Sequence, residues 1–198
     1  MRIVFFGGTF DPPHEGHLAL AEAVLSKGLA DHVLFVPAWI PPHKIENGRS
    51  PFSDRLRMTE LAVGERENMS VSGFEGERGG VSYTVESLEI LSAANPGNEY
   101  ILLIGGDSLA QLHNWYRARD LAERFRILYC PRTGETPSRN ELLKHWPRHI
   151  AEKLLSGAVT DLPVSDLAST EIRKKFAEGE IPSGIPANVL DYIRRRRF

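Results

Sequence analysis

The 198-residue sequence predicts an α/β fold, a doubly wound, mainly parallel sheet followed by C-terminal helices. Three observations carry the prediction. Short, continuous apolar runs read as strands buried on both faces. Segments with helical spacing of apolar residues separate those runs, which is the signature of βαβ crossovers. The most unusual loops start where the strands end, which is where open parallel sheets bind their ligands.

Ile3-Val4-Phe5-Phe6 is the first strand. His17 to Leu29 then has helical spacing, with Leu18, Ala21, Val24 and Leu25 on one face. Val33 to Val36 is a second strand, and Ser53 is the expected N-cap of a helix carrying Leu56, Met58, Leu61 and Ala62. Met69 to Ser72 is a weaker strand. Thr84 to Ala94 reads as a helix stopped by Asn95-Pro96-Gly97-Asn98. Tyr100 to Ile104 and Phe125 to Tyr129 are further strands. Asn140 to Leu155 is helical and divided at Pro147, and Ser169 to Ala177 and Asn188 to Arg196 are closing helices. No repeat or long linker divides the chain, so residues 1–198 read as one domain with a C-terminal helical portion from about 164 to 198. The segments Gly7 to His17, Pro37 to Lys44, Gly105 to Trp115 and Pro131 to Thr133 are the loops expected to share one pocket.

Composition narrows the class. With 24 basic and 26 acidic residues the net charge is −2, which gives no general affinity for nucleic acid or membrane. Arg194 to Arg197 is the one basic cluster, and cations there suit the C-terminal end of a helix. The single cysteine, Cys130, excludes an internal disulfide and a multi-cysteine metal site. No apolar run approaches membrane-spanning length. The N-terminal segment lacks the charged and long apolar regions of a secretory signal. A cytoplasmic protein is expected.

GGTFDPPHEGH, Gly7 to His17, is the most informative stretch. Two glycines after a strand permit a sharp turn and close approach to a ligand, although a plain tight turn has the same residues. The following helix start offers N–H groups and a positive dipole end that favour phosphate. His14 and His17, three apart, can share a face of the first turn and donate to phosphate oxygens. The spacing is neither GxGxxG nor GxxxxGK[ST]. As a metal site the histidine pair lacks a third ligand, with His43 the only candidate in a nearby loop.

The stretch resembles the GG-x-F-[DN]-P-x-H-x-GH signature of the HxGH nucleotidylyltransferases. Leu167 to Arg173, LASTEIR, resembles the superfamily's ISSTxIR at the other end of the chain. VPAWIPPHK (Val36 to Lys44), SYT (Ser82 to Thr84), IGGDSLAQLHNWY (Ile104 to Tyr116), Arg132 and IPANVLDYI (Ile185 to Ile193) further resemble the bacterial nicotinate-mononucleotide adenylyltransferase family. The related phosphopantetheine adenylyltransferases lack the PPHK loop and the GxDxLxxLxxW pattern. Class I aminoacyl-tRNA synthetases are larger and carry a KMSKS element absent here.

The resemblance implies a Rossmann-like fold and transfer of the adenylyl group of ATP to nicotinate mononucleotide. It assigns Gly7, Gly8, Thr9 and Phe10 to contacts near the nucleotides, and His14 and His17 to the ATP phosphates, with His17 nearest the transferring phosphorus. Lys44 and Arg132 would be further phosphate contacts. Arg173, with Ser169 and Thr170 at the expected cap of its helix, would hold the β- and γ-phosphates. Gly105 and Asp107 would meet ribose or water around Mg²⁺, itself bound mainly through ATP phosphates, with no dedicated protein metal site. Trp115 would stack on the pyridine ring beside Thr84 and Tyr116. Nucleic acid and membrane are not among the implied partners, and homo-oligomerisation is left open. Ala168 departs from the family serine, so any bond made by that hydroxyl is missing. Two rivals stay open: a silent nucleotide-binding protein on this fold, and a nucleotidylyltransferase for a different acceptor.

Overall fold

The structure is a computed structural model that describes residues 1–42, 49–131, 136–160 and 167–196. Strands β1 (Arg2–Gly8), β2 (His32–Pro37), β3 (Met69–Val71), β4 (Glu99–Gly105) and β5 (Arg126–Cys130) form one sheet. Their order is β3-β2-β1-β4-β5, and every pairing is parallel. The chain winds outward from β1 to β3, returns to lay β4 on the other side of β1, and ends at β5. The direction of winding therefore reverses between β1 and β4, which opens a crevice at their carboxyl ends.

The helices are α1 (Glu15–Ser26), α2 (Phe52–Val63), α3 (Phe74–Arg78), α4 (Thr84–Ala94), α5 (Gly106–Gln111), α6 (Ala118–Arg124), α7 (Arg139–His145), α8 (Arg148–Leu155), α9 (Ser169–Ala177) and α10 (Ala187–Arg196). A 3-10 turn covers Leu112–Asn114.

The strand period of two divides the core into two layers. Ile3 and Phe5 of β1, with Tyr100, Leu102 and Ile104 of β4, face one layer. That layer is filled by Val85 and Leu88 of α4, Leu109 of α5, Leu121 of α6, and Ile150 and Leu154 of α8. Val4 and Phe6, with Ile101 and Leu103, face the other, packed by Leu18, Ala21 and Val24 of α1, Met58 and Ala62 of α2, and Val189 and Ile193 of α10. Both faces of the sheet are covered, so the central strands are continuously apolar.

Most predicted elements lie within a residue or two of their expected bounds, and three expectations are corrected. Ser53 is not the cap of α2: the helix starts at Phe52 after Pro51, whose fixed φ leads into the first turn. The segment from Gly105 to Trp115 is not a loop but α5 and the 3-10 turn. The basic tail does more than complement a helix dipole. Arg196 donates from Nε and Nη2 to Asp54 at 2.9 and 3.1 Å, and Tyr192 Oη donates to the same carboxylate at 2.6 Å. Asp54 is buried, so this contact fastens α10 onto α2.

Candidate active site

The crevice between β1 and β4 holds a cavity of about 430 Å³. Gly7, Gly8 and Thr9 supply its floor from the end of β1, Ala38, Pro41 and Pro42 come from beyond β2, and Asp107 comes from α5. Thr84, Trp115 and Tyr116 stand on its far wall. Three of the four loops expected to share a pocket thus converge. Of the fourth, Arg132 lies outside the described residues, as does Lys44 of the PPHK loop.

The two glycines are needed for a different reason than a sharp turn. They are the last residues of β1, and a Cβ on Gly7 would lie 2.7 Å from the Phe5 ring, one on Gly8 2.9 Å from the Phe10 ring. The space a side chain would occupy is taken by the protein's own aromatics. Phe10 itself has a positive φ of 49° and is 2% exposed. Its ring faces the core and packs edge-on against His17 at 5.0 Å, so its contribution to the site is the support of that histidine.

His14 and His17 lie together, with ring centroids 3.7 Å apart. The His14 backbone N–H donates to His17 Nδ1 at 3.2 Å. An accepting Nδ1 carries no proton, so in the neutral ring the proton sits on Nε2. His17 stands at the third position of α1, beyond the Gly7–Thr9 floor, and neither histidine is among the residues that line the cavity.

The C-terminal element comes to the same place. Arg173 Nη1 donates to the Asp11 carbonyl at 2.8 Å, and Ser169 Oγ donates to the Pro12 carbonyl at 3.0 Å. These bonds join parts of the sequence more than 150 residues apart. The expected cap is corrected: Ala168 is the N-cap of α9, and Ser169 and Thr170 are its first two residues. The Ser169 hydroxyl is directed to the histidine loop, and no side chain caps α9. Its N-terminal N–H groups and the nearby guanidinium make an anion-favouring end.

On the far wall, the tilted rings of Tyr83 and Tyr116 lie with centroids 4.3 Å apart, and Trp115 leans on the core layer behind it. Helix α4 begins at Thr84 in the cavity wall, with no side chain capping it. Asp107 folds back toward β4, close enough that a Cβ on Gly105 would strike its carboxylate oxygen. Among the described residues no group of three or more His, Cys, Asp or Glu is placed to hold a metal ion.

Two buried charges beneath the site were not singled out from the sequence. Arg55 is 2% exposed and donates to the carbonyls of Thr9 at 2.9 Å, Ser50 at 3.2 Å and Trp39 at 3.3 Å. Burial pulls its pKa down, while the charge of Asp11 opposes that pull. Asp11 in turn accepts from the Ser50 backbone N–H at 3.1 Å. Glu75, also buried, accepts from Ser87 Oγ at 2.6 Å and, at 3.4 Å, from the Trp39 N–H, which donates to Ser82 Oγ at 2.8 Å as well. Arg55 could have been found: Arg55, Met58, Thr59 and Ala62 form the buried stripe of α2, so a charge stands on an apolar face. Glu75 lies on a five-residue helix, too short to show a face.

This is a nucleotide-sized crevice at a switch point, flanked by two anion-favouring helix starts. A family model described as cytidylyltransferase-like matches residues 5–175. A protein of Solibacter usitatus named "Probable nicotinate-nucleotide adenylyltransferase" is 37% identical over 98% of this chain and 97% of its own length. One of the same name from Synechococcus sp. (strain JA-3-3Ab) is 37% identical over 100% and 94%. The fold is also that of the Plasmodium falciparum nicotinic acid mononucleotide adenylyltransferase complexed with NaAD, with a TM-score of 0.78 over 100% of this chain and 96% of that one, at 15% identity. The chain belongs to the cytidylyltransferase-like family and, within it, to the nicotinate-nucleotide adenylyltransferases.

Proposed function

We propose that the crevice joins nicotinate mononucleotide to the adenylyl group of ATP, giving nicotinate adenine dinucleotide and pyrophosphate for NAD biosynthesis. A 5′-phosphate oxygen of the mononucleotide attacks the α-phosphorus, one phosphoanhydride bond forms, and the bond from the α-phosphorus to the bridging oxygen breaks. That phosphate is ionised at neutral pH, so no base is needed to make the nucleophile. Catalysis is then positioning and charge stabilisation.

The observation that carries this reading is the junction of two half-sites across Gly7 to Thr9. On one side the His17 Nε2–H donor, His14 and the starts of α1 and α9 suit a polyphosphate. Arg173, and Lys44 and Arg132 by resemblance, add charge. On the other, Trp115 offers an indole face to a cationic pyridine ring, with Tyr116 and Thr84 beside it. The opening of α4 at Thr84 supports the reading, since a positive dipole end suits a nicotinate carboxylate. Ser169 and Thr170 line the β/γ-phosphate side, and Gly105 and Asp107 face the ribose. Mg²⁺ would be carried on ATP oxygens and water, and Asp107, a carboxylate in the cavity lining, could accept from its waters. Bound there, it would screen charge on the departing pyrophosphate. The substrates and the single cysteine suit a cytoplasmic setting.

One experiment tests the reading: purified protein, ATP and Mg²⁺ with nicotinate mononucleotide, nicotinamide mononucleotide or phosphopantetheine, products separated by chromatography. Nicotinate mononucleotide should give dinucleotide and pyrophosphate in equal amounts and with the highest kcat/KM. A site built of donors discriminates because the amide leaves an N–H facing an N–H, at about 1–3 kcal/mol for each unpaired group. Equal values for both pyridine nucleotides would overturn the acceptor assignment. Nucleotide binding without turnover would favour a silent binder.

A further inference from the structure

Arg117 follows Trp115 and Tyr116 directly and holds a left-handed backbone, φ 49° and ψ 41°. A residue with a Cβ is strained there, whereas glycine is not. Its guanidinium is fully engaged. Nη1 and Nη2 donate to the two carboxylate oxygens of Glu89 at 2.9 and 3.0 Å, and Nε donates to Asp120 at 2.8 Å. Glu89 lies on α4, whose first residue is Thr84 in the acceptor wall, and it is also bonded by Arg124. The aromatic segment is thus tied to α4 twice: through the Tyr83–Tyr116 ring contact at the cavity and through the Arg117–Glu89 fork behind it.

A turn alone needs no arginine. A strained backbone persists where its surroundings over-determine it, and such places cluster at ligand clamps. The bidentate fork fixes direction as well as distance, which a point charge does not. We propose that Arg117 is a positioning residue for the acceptor: it uses Glu89 to hold Trp115 and Tyr116 at a fixed spacing from Thr84, so that the pyridine ring enters a slot already at its working width. This rests on the reading of that wall as the pyridine mononucleotide site.

The test is Arg117→Gly, which relieves the backbone and deletes the clamp together with the Asp120 contact, with Arg117→Lys and Glu89→Gln as companions. Steady-state KM values for nicotinate mononucleotide and for ATP are read separately, and acceptor binding is measured by titration calorimetry. Arg117→Gly should raise the acceptor KM and Kd roughly three- to thirtyfold and leave the ATP KM within about twofold, the span expected of residues that act through others. Lys should recover part of the loss, and Glu89→Gln should move the same two constants in the same direction. Unchanged acceptor constants in Arg117→Gly would mean that the residue only makes a turn. An equal rise for both substrates would mean a general loss of structure. Either result overturns the proposal. If the wild-type protein neither binds nor adenylylates nicotinate mononucleotide, the reading of the pocket fails first, before any variant is compared.

Discussion

At the level of single residues, the site separates the groups that meet substrate from those that hold them. In the proposed reaction His17 belongs to the first kind. Its Nδ1 accepts from the His14 N–H, so the proposed contact with the α-phosphate falls to Nε2–H. His17→Asn keeps an acceptor near the Nδ1 position and removes the Nε2 donor. We predict kcat falls by about 10²–10³, the effect of losing one transition-state donor, while thermal unfolding stays near wild type. Turnover close to wild type in this variant would remove His17 from the chemistry. Arg55 belongs to the second kind. It is bonded to three carbonyls from two loops and buried under both. Arg55→Met should lower the urea midpoint, at about 1–3 kcal/mol for each buried acceptor left unpaired. Arg55→Lys should not restore it, since one ammonium cannot span three diverging carbonyls. A midpoint unchanged in Arg55→Met would show that water replaces the guanidinium without cost.

At the level of elements, legibility followed periodicity. The bounds of α4 and α9 match the sequence reading because each is long enough to show an apolar stripe and has an identifiable stop. Helix α5 was missed because its six residues open on glycine and never complete two turns. The α9 cap was misplaced for a physical reason: Ser169 and Thr170 are good caps, but Ser169 spends its hydroxyl on Pro12, a contact that sequence spacing cannot reveal. The motifs pointed to His14, His17, Trp115 and Thr84, but the two tilted ring pairs and the buried arginine depend on tertiary packing. One strand-to-strand contact carries a pH prediction. His32 on β2 shares a 2.7 Å hydrogen bond with Ser70 on β3, and burial pushes its imidazole below the usual value of 6.5. The unfolded chain then binds the proton more readily than the native one. Stability is therefore fully present above pH about 6.5 and declines as pH falls toward the lower native pKa. Urea midpoints measured from pH 7.5 to 5 should show this decline, and His32→Gln should flatten part of it. Identical profiles for the two proteins would remove His32 as a source.

At the scale of the whole molecule, the site is closed by contacts that join distant parts of the chain. The β1–α1 loop is bonded by α9, and α10 is latched to α2 through Asp54, so the proposed phosphate half depends on the C-terminal helices as much as on the sheet. The proposed acceptor half depends on α4 and the segment before α6. A ligand that spans both halves therefore bridges the two sides of the switch point, and linking two binding groups makes the second contact intramolecular. Nicotinate adenine dinucleotide should then raise Tm more than nicotinate mononucleotide or AMP at the same concentration. A ligand present at 100 times its Kd stabilises the native state by about 2.7 kcal/mol. The latch supplies the control. Asp54→Asn should weaken α10 docking by about 1–2 kcal/mol, because Asp54 is buried but the Arg196 side chain is half exposed and partly screened. It lies outside both half-sites, so it should lower the starting Tm and leave the increments from each ligand in the same order. Arg173→Ala should shrink the increment from ATP far more than that from the dinucleotide, which lacks the β- and γ-phosphates. A dinucleotide increment no larger than that of nicotinate mononucleotide in the wild-type protein would show that the two halves do not bind as one site.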